Sequence, residues 1–303
     1  MKRIIKAASA VLLIGSLGWY LFANQHDAMQ LEDLSPAILA MVICARLAAY
    51  LMLVFSTWWA TRLLAPNLGV VEYFKVSTNG FALGMVGLPG SCYAVKTVYL
   101  KQHHRLRHQD FFVISVVIGL LSLISAGIVA SAAALLLHAE GQVLPGWLQV
   151  AIAILLVAPL LALVTLDRLL NLAVSTRLAD MKSTYQALLR EPIRLSGAAL
   201  AQLARSAFSL LGFGLLFQAV SGTHLLVGGI MDALSTLLRL VYLLPGNIGI
   251  YEWGVGALAG WLGASIAAGL VAAALYRLVG VVAITTAALA VRLALRLTRP
   301  VST

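Results

Sequence analysis

Six runs of this chain, at roughly 4-23, 36-59, 111-137, 147-166, 196-220 and 265-291, are each apolar over a length that can cross a hydrocarbon core. Such a crossing takes about 20 helical residues. A chain so built cannot hide its apolar surface in a soluble core, and the composition agrees. Of 303 residues, 61% are apolar and 11% charged, against about 45-50% and about 25% in soluble globular chains. The expected fold class is an all-α integral membrane protein, a polytopic helix bundle in which residues 1-303 form one transmembrane domain. In the first run, Lys2, Arg3 and Lys6 precede apolar residues that reach Trp19, Tyr20 and Phe22 without a small-residue cleavage site. It is read as an uncleaved first helix, not a signal peptide.

Two further apolar stretches are interrupted. Segment 76-100 carries Pro89-Gly90 in its middle, and segment 225-263 carries Pro245-Gly246 followed by Asn247 and Gly249. Proline removes a backbone donor and clashes with the preceding turn. Each stretch is therefore expected as two half-helices of a re-entrant hairpin, which gives six full spans and two broken hairpins.

Charge sets the orientation. Crossing six times from a cytoplasmic N-terminus leaves 24-35, 139-146 and 221-224 outside, with Asp27, Glu32, Asp33 and Glu140 but no Lys or Arg. The inner segments 1-6, 60-75, 101-110, 167-195 and 291-303 hold sixteen Lys and Arg. This positive-inside split implies cytoplasmic N- and C-termini, in a bacterial inner membrane. It also accounts for the net charge of +10 without any nucleic-acid partner. Cys44 and Cys92 sit in apolar surroundings with no paired spacing, so neither a disulfide framework nor a zinc site is expected. His103, His104 and His108 lie among Lys101, Arg105 and Arg107, read as a solvated basic loop and not a metal site. In 167-195, Leu170, Val174, Leu178, Met181, Tyr185 and Leu188 recur at helical spacing. That stripe predicts an amphipathic helix on anionic headgroups, with a partner-docking surface as the alternative.

The element order repeats. Residues 1-138 and 147-299 each read helix, helix, broken hairpin, helix, with three complete crossings apiece. An odd number of crossings makes the two halves an inverted repeat, as in many transporters. Arg46 and Arg205 occupy the second helix of their halves, and Lys96 and Glu252 each follow a hairpin proline by seven residues.

The hydrophobic segments contain five basic residues, Arg46, Lys96, Arg205, Arg239 and Arg277, and two acids, Asp232 and Glu252. A central Arg or Lys costs about 2.5-3.5 kcal/mol on insertion scales, so each needs a partner or an exit. Asp232 and Arg239, two turns apart, can pair internally, and Lys96 can snorkel to the cytoplasmic face. Gln202, Arg205, Ser206 and Ser209 make a polar stripe facing the bundle or a water-filled groove. After such pairing about three cations remain, and a lipid phosphate is the abundant anion that Arg binds bidentately. Half-helix ends at the hairpin breaks add buried N-H groups, and Glu252 sits where a helix dipole favours it or where it can carry a proton.

Residues 244-252, reading Leu-Pro-Gly-Asn-Ile-Gly-Ile-Tyr-Glu, resemble the signature of the lysylphosphatidylglycerol synthase transmembrane, or flippase-like, family. Asn79 and Leu88-Pro89-Gly90 ahead of Lys96 are similar to that family's first motif. The acid usual between its Gly and its basic residue is missing from 91-94, and Tyr251 stands where a basic residue is common. The resemblance implies a membrane domain that moves or handles lipids, here without the soluble synthase domain. The expected function is a flippase-like transporter holding an anionic lipid or lipid-linked sugar in an Arg-lined groove. The substrate-binding set is Arg46, Asn79, Lys96, Gln202, Arg205, Asp232, Arg239, Asn247, Glu252 and Arg277, with turns at Pro89, Gly90, Pro245, Gly246 and Gly249. The alternative is a non-catalytic membrane partner of a glycosyltransferase or lipid synthase, and a carrier of a small soluble anion comes third. No nucleophile-base set, metal cluster or phosphate loop supports an enzyme, and no cofactor is expected.

Overall fold

The computed structural model describes residues 15, 19, 22, 34-85, 91-171, 176-238 and 249-297. Within them the chain is helical, with no strand. Five helices are long and apolar enough to cross a membrane: α1 (Pro36–Thr61), α4 (His108–Ala139), α5 (Gly146–Asn171, apolar through Leu166), α7 (Pro192–Ser221) and α10 (Ile266–Leu297). They coincide with five of the six expected spans. The first, 4-23, lies outside the described residues apart from Gly15, Trp19 and Phe22.

Local chemistry sets the ends. Pro36 and Pro192 occupy the first turns of α1 and α7, where a missing N-H costs nothing. Ser35 caps α1 by accepting from the Ile38 N-H at 3.2 Å. Gly222 stops α7 at φ +69°, a left-handed conformation that suits glycine.

The packing fixes relative directions. Gln202 donates to Ser56 at 3.0 Å near one end of the α1/α7 contact. A Cβ on Gly212 would stand 3.1 Å from Ala45 Cβ near the other, so α1 and α7 are antiparallel. Val42 clusters with Tyr276 and Val279 while Tyr50 clusters with Ile284, so α1 and α10 run parallel. Ala198 packs with Ile114 and Val117, and Leu210 with Leu123 and Ala126, which makes α4 and α7 parallel. A short turn and the contact of Gly127 with Leu156 make α4 and α5 antiparallel. The directions therefore alternate as successive crossings require.

One end of the bundle is basic, with Arg62, Arg105, Arg107, Arg168, Arg190 and Arg194. Glu140, 3.3 Å from His224, marks the opposite end. Aromatic groups sit at both. Phe55, Trp58 and Trp59 pack together near the basic end, and Trp147 meets Trp261 edge-on at 5.7 Å near the other. Aromatic belts of this kind mark membrane interfaces. Between them α5 presents Val150, Ile154, Val157, Leu161 and Val164 outward at three- and four-residue spacing, the face a lipid tail would cover.

Each interrupted stretch consists of two short helices. α2 (Val70–Met85) and α3 (Ser91–His104) form the first hairpin. Cys92 lies so close to Gly80 that a Cβ there would stand 2.9 Å from its Cα. Residues 86-90, with Pro89 and Gly90, lie outside the described residues, as do 239-248 in the second hairpin, α8 (Leu225–Leu238) and α9 (Ile250–Trp261). The first hairpin begins six residues earlier than the apolar run alone indicates, because the turn holding Glu72 is polar. Glu72 accepts from Tyr99 Oη at 2.8 Å, pairs with His104 Nε2 at 2.8 Å and takes the Gly69 N-H at 3.3 Å. That clasp ties the two outer ends of the hairpin together at the basic end of the bundle.

Burial pushes the Glu72 carboxyl up, but the hydrogen bonds from His104, Tyr99 and Gly69 outweigh it and hold it below its ordinary 4.5. A depressed carboxyl pKa stabilises the fold above the unfolded value and loses that contribution as pH falls through the folded value. Glu72→Gln is thus expected to cost about 1 kcal/mol or less near neutrality, its side chain being partly exposed. The gap to wild type should close as thermal unfolding is repeated below pH 4.5; a gap that persists at pH 3 would refute this role.

The polar stretch after α5 contains α6 (Thr176–Leu189), whose apolar stripe does not face headgroups. Tyr185 and Leu188 are buried with Ile114, Val117 and Ala198, and Met181 packs against them. The amphipathic pattern was real, but the surface it fits is the protein's own α4 and α7. Leu170, Val174 and Leu178 have no described side-chain placement. Asp110 anchors α6: Arg107 donates to both its oxygens at 2.9 and 3.1 Å, and Thr184 Oγ1 donates at 2.7 Å. Arg107 also reaches Asp180 at 2.7 Å.

Candidate functional site

The intramembrane ionisable groups separate into a paired set and an unpaired set. Glu252, 3% exposed, is held from both sides. Arg277 Nε lies 3.0 Å from Oε1, and the Gly249 N-H donates to Oε2 at 2.7 Å. The second contact is half of a capping box and places the carboxylate on the positive end of α9. Gly249 itself holds φ +88°, the turn expected of it. Glu252 and Arg277 therefore form a buried ion pair.

Asp232, 3% exposed on α8, accepts from Ser209 Oγ at 2.6 Å, and Ser209 lies 3.2 Å from the Tyr276 hydroxyl. Arg239 lies outside the described residues. Gln202 is fully buried and bridges Ser56 and Arg205, accepting from Arg205 Nη1 at 3.1 Å. It ties α7 to α1 through Ser56. Arg205 Nη1 also donates to Ser122 Oγ on α4. Of the stripe, Gln202, Arg205 and Ser209 meet partners on neighbouring helices.

Arg46, near the middle of α1, differs. Its guanidinium lies over the Tyr276 ring at 4.5 Å, and its Nε is buried with no hydrogen-bond partner. No carboxylate of the described residues pairs with it. Arg46 and Arg205 do not share a pocket. In the antiparallel register of α1 and α7 they stand about 9 Å apart along the helix axes, at about 1.5 Å per residue. Each turns to a different neighbour, α10 for Arg46 and α4 for Arg205.

Lys96 does not snorkel. It is 9% exposed, with Nζ 5.3 Å from the Tyr73 ring centroid, and no described carboxylate reaches it. Tyr50, one turn after Arg46 on α1, donates to Thr78 on α2 at 3.3 Å and so joins the Arg46 helix to the Lys96 hairpin. Asn79 is exposed on the same hairpin, where with Glu72, Lys75, Val76, Val95 and Tyr99 it lines an open groove of about 340 Å³. Sequence reading missed Lys75 and Tyr99; their only signal was their place one turn from Asn79 and Lys96 respectively. Asn247, Pro245 and Gly246 lie outside the described residues.

The fold and this site define an all-helical chain of multi-pass membrane type, with a polar layer inside it. The chain matches no protein-family model, no curated protein and no solved structure at a significant level.

Proposed function

We propose that this protein is a flippase-like membrane transporter that handles an anionic lipid or lipid-linked sugar. One observation carries the reading: Arg46, at mid-span, keeps a buried Nε without a partner and has only an aromatic face against its charge. A cation costly to place in hydrocarbon should have been lost or paired unless an anion arrives to meet it. Lys96, also without a described carboxylate, puts a second positive charge on the same half.

The wider frame belongs to the same proposal. The Pro-Gly pairs at 89-90 and 245-246 and the 12 residues of α9, which at about 1.5 Å per residue fall short of a core of about 30 Å, support the hairpin reading. They fit re-entrant hairpins beside six spans. α1 and α7 begin on prolines 156 residues apart, which favours an inverted repeat of 1-138 and 147-299. The basic end would face the cytoplasm of a bacterial inner membrane, and the Leu-Pro-Gly motifs point toward lipid-handling membrane domains.

The test is reconstitution in liposomes containing fluorescent phosphatidylglycerol, with mass spectrometry of lipids kept through purification. Faster transfer of the anionic probe than of phosphatidylcholine, with anionic lipid retained, is the expected result. Retention without transfer would favour a protein that presents lipid to an enzyme. Neither retention nor transfer would end the proposal.

A further inference from the structure

The open groove of about 340 Å³ on the first hairpin has a lining that runs in a fixed order from the basic end inward. Two contacts with α1 set its direction. Trp58 Nε1 donates to the Leu68 carbonyl at 2.9 Å, and Tyr50 donates to Thr78 at 3.3 Å, so α2 runs antiparallel to α1, from the aromatic groups at the basic end back into the bundle. Glu72, Lys75 and Asn79 line the groove from α2, on one helix face by their spacing. At about 1.5 Å per residue, Lys75 lies about 4.5 Å deeper than Glu72 and Asn79 about 6 Å deeper again. Val76 and Val95 add apolar walls, and Val71 and Val98, both exposed, continue that apolar surface one turn from Lys75 and Val95.

Two of these residues can take a further partner. Lys75 is exposed, and no described carboxylate pairs with it. Glu72, a third exposed, accepts from Tyr99 and His104 on Oε1 but only from the Gly69 N-H on Oε2. A carboxylate has about four acceptor positions, so Oε2 keeps room for one more donor. A simple anion would meet repulsion at Glu72, and a simple cation would meet it at Lys75. A ligand carrying both charges in the matching order meets neither. In the leaflet at the basic end, an upright phospholipid with a primary ammonium presents that order: ammonium outermost, phosphodiester next, ester carbonyls and chains below.

We infer that this groove holds an aminophospholipid of the phosphatidylethanolamine type, its ammonium on Glu72, its phosphodiester on Lys75 and its ester linkages level with Asn79. This lipid differs from the anionic one proposed as cargo, and its binding requires no transport.

The experiment titrates wild type, Lys75→Gln, Glu72→Gln and Val95→Trp in neutral detergent micelles with phosphatidylethanolamine, phosphatidylcholine, phosphatidylglycerol or soluble phosphoethanolamine, and thermal unfolding reports binding. Wild type should bind phosphatidylethanolamine about tenfold tighter than phosphatidylcholine, whose quaternary nitrogen has no N-H to donate, and than phosphatidylglycerol, which has no cation. Tenfold is the scale of one charge-assisted hydrogen bond. Lys75→Gln should melt like wild type when lipid-free and bind phosphatidylethanolamine and phosphatidylcholine each about tenfold more weakly. Glu72→Gln should erase the preference between those two. Val95→Trp, which fills the groove, should abolish binding, and soluble phosphoethanolamine should give no shift.

Equal wild-type affinity for phosphatidylethanolamine and phosphatidylcholine would overturn the ammonium contact at Glu72. Unchanged affinity in both Lys75→Gln and Val95→Trp would overturn the groove as the site. Tighter binding of phosphatidylglycerol than of phosphatidylethanolamine would overturn the aminophospholipid and leave the anionic-lipid reading standing. Phosphoethanolamine as effective as the intact lipid would overturn a lipid ligand. The predicted preference in a protein that neither retains nor moves anionic lipid would support the groove and overturn the transport reading alone.

Discussion

Glu252→Gln is expected to destabilise the fold by about 3-5 kcal/mol, the range for breaking one partner of a buried ion pair. The isosteric amide keeps one acceptor for the Gly249 N-H but removes the charge that faces Arg277 Nε at 3.0 Å. Arg277 then loses this carboxylate, while its Cζ remains 5.5 Å from the Tyr251 ring. The start of α9 also loses the anion that its dipole favours. The measurement is thermal unfolding in detergent, with Glu252→Gln/Arg277→Gln as the control. The double variant should recover much of the loss, since pairs removed together cost less than pairs broken. A single variant as stable as wild type would show that the pair contributes nothing to stability.

Asp110→Ala should detach α6 at a cost of about 2 kcal/mol. Thr184, 3% exposed, would lose its acceptor, and a buried hydroxyl left unmade costs about 1-3 kcal/mol. Arg107 is half exposed, so its share is discounted for solvent screening. Trypsin should then cut after Lys182 in the native protein sooner than in wild type. An unchanged cleavage rate would mean that Tyr185 and Leu188 hold the helix without the polar anchor.

Much of the fold was legible because a bilayer leaves few alternatives: helices must satisfy their own backbones, and apolar runs of sufficient length name themselves. The spans at 36-59, 111-137, 147-166, 196-220 and 265-291 were visible on that ground. Partners were not legible. That Glu252 meets Arg277 depends on how α9 lies on α10, which no spacing encodes. Gln202 looked like a ligand contact because polarity in an apolar helix looks the same whether the partner is a lipid or Ser56. The stripe of α6 showed that something apolar covers it, without distinguishing a membrane from Ile114 and Val117. The exposed groove beside Asn79 depended on Glu72 clasping Tyr99 and His104, residues with no unusual pattern.

Tyr276 belongs to two neighbourhoods at once. Its ring face carries Arg46, and its hydroxyl donates to the Ser209 carbonyl at 3.2 Å beside the Asp232 carboxylate. Tyr276→Phe keeps the face and deletes the hydroxyl, whereas Tyr276→Leu deletes both. Scanning substitutions along α10 will therefore register two different losses at this one position: the hydroxyl's alone with Phe, and with Leu also the ring's contacts with Arg46 and Phe213.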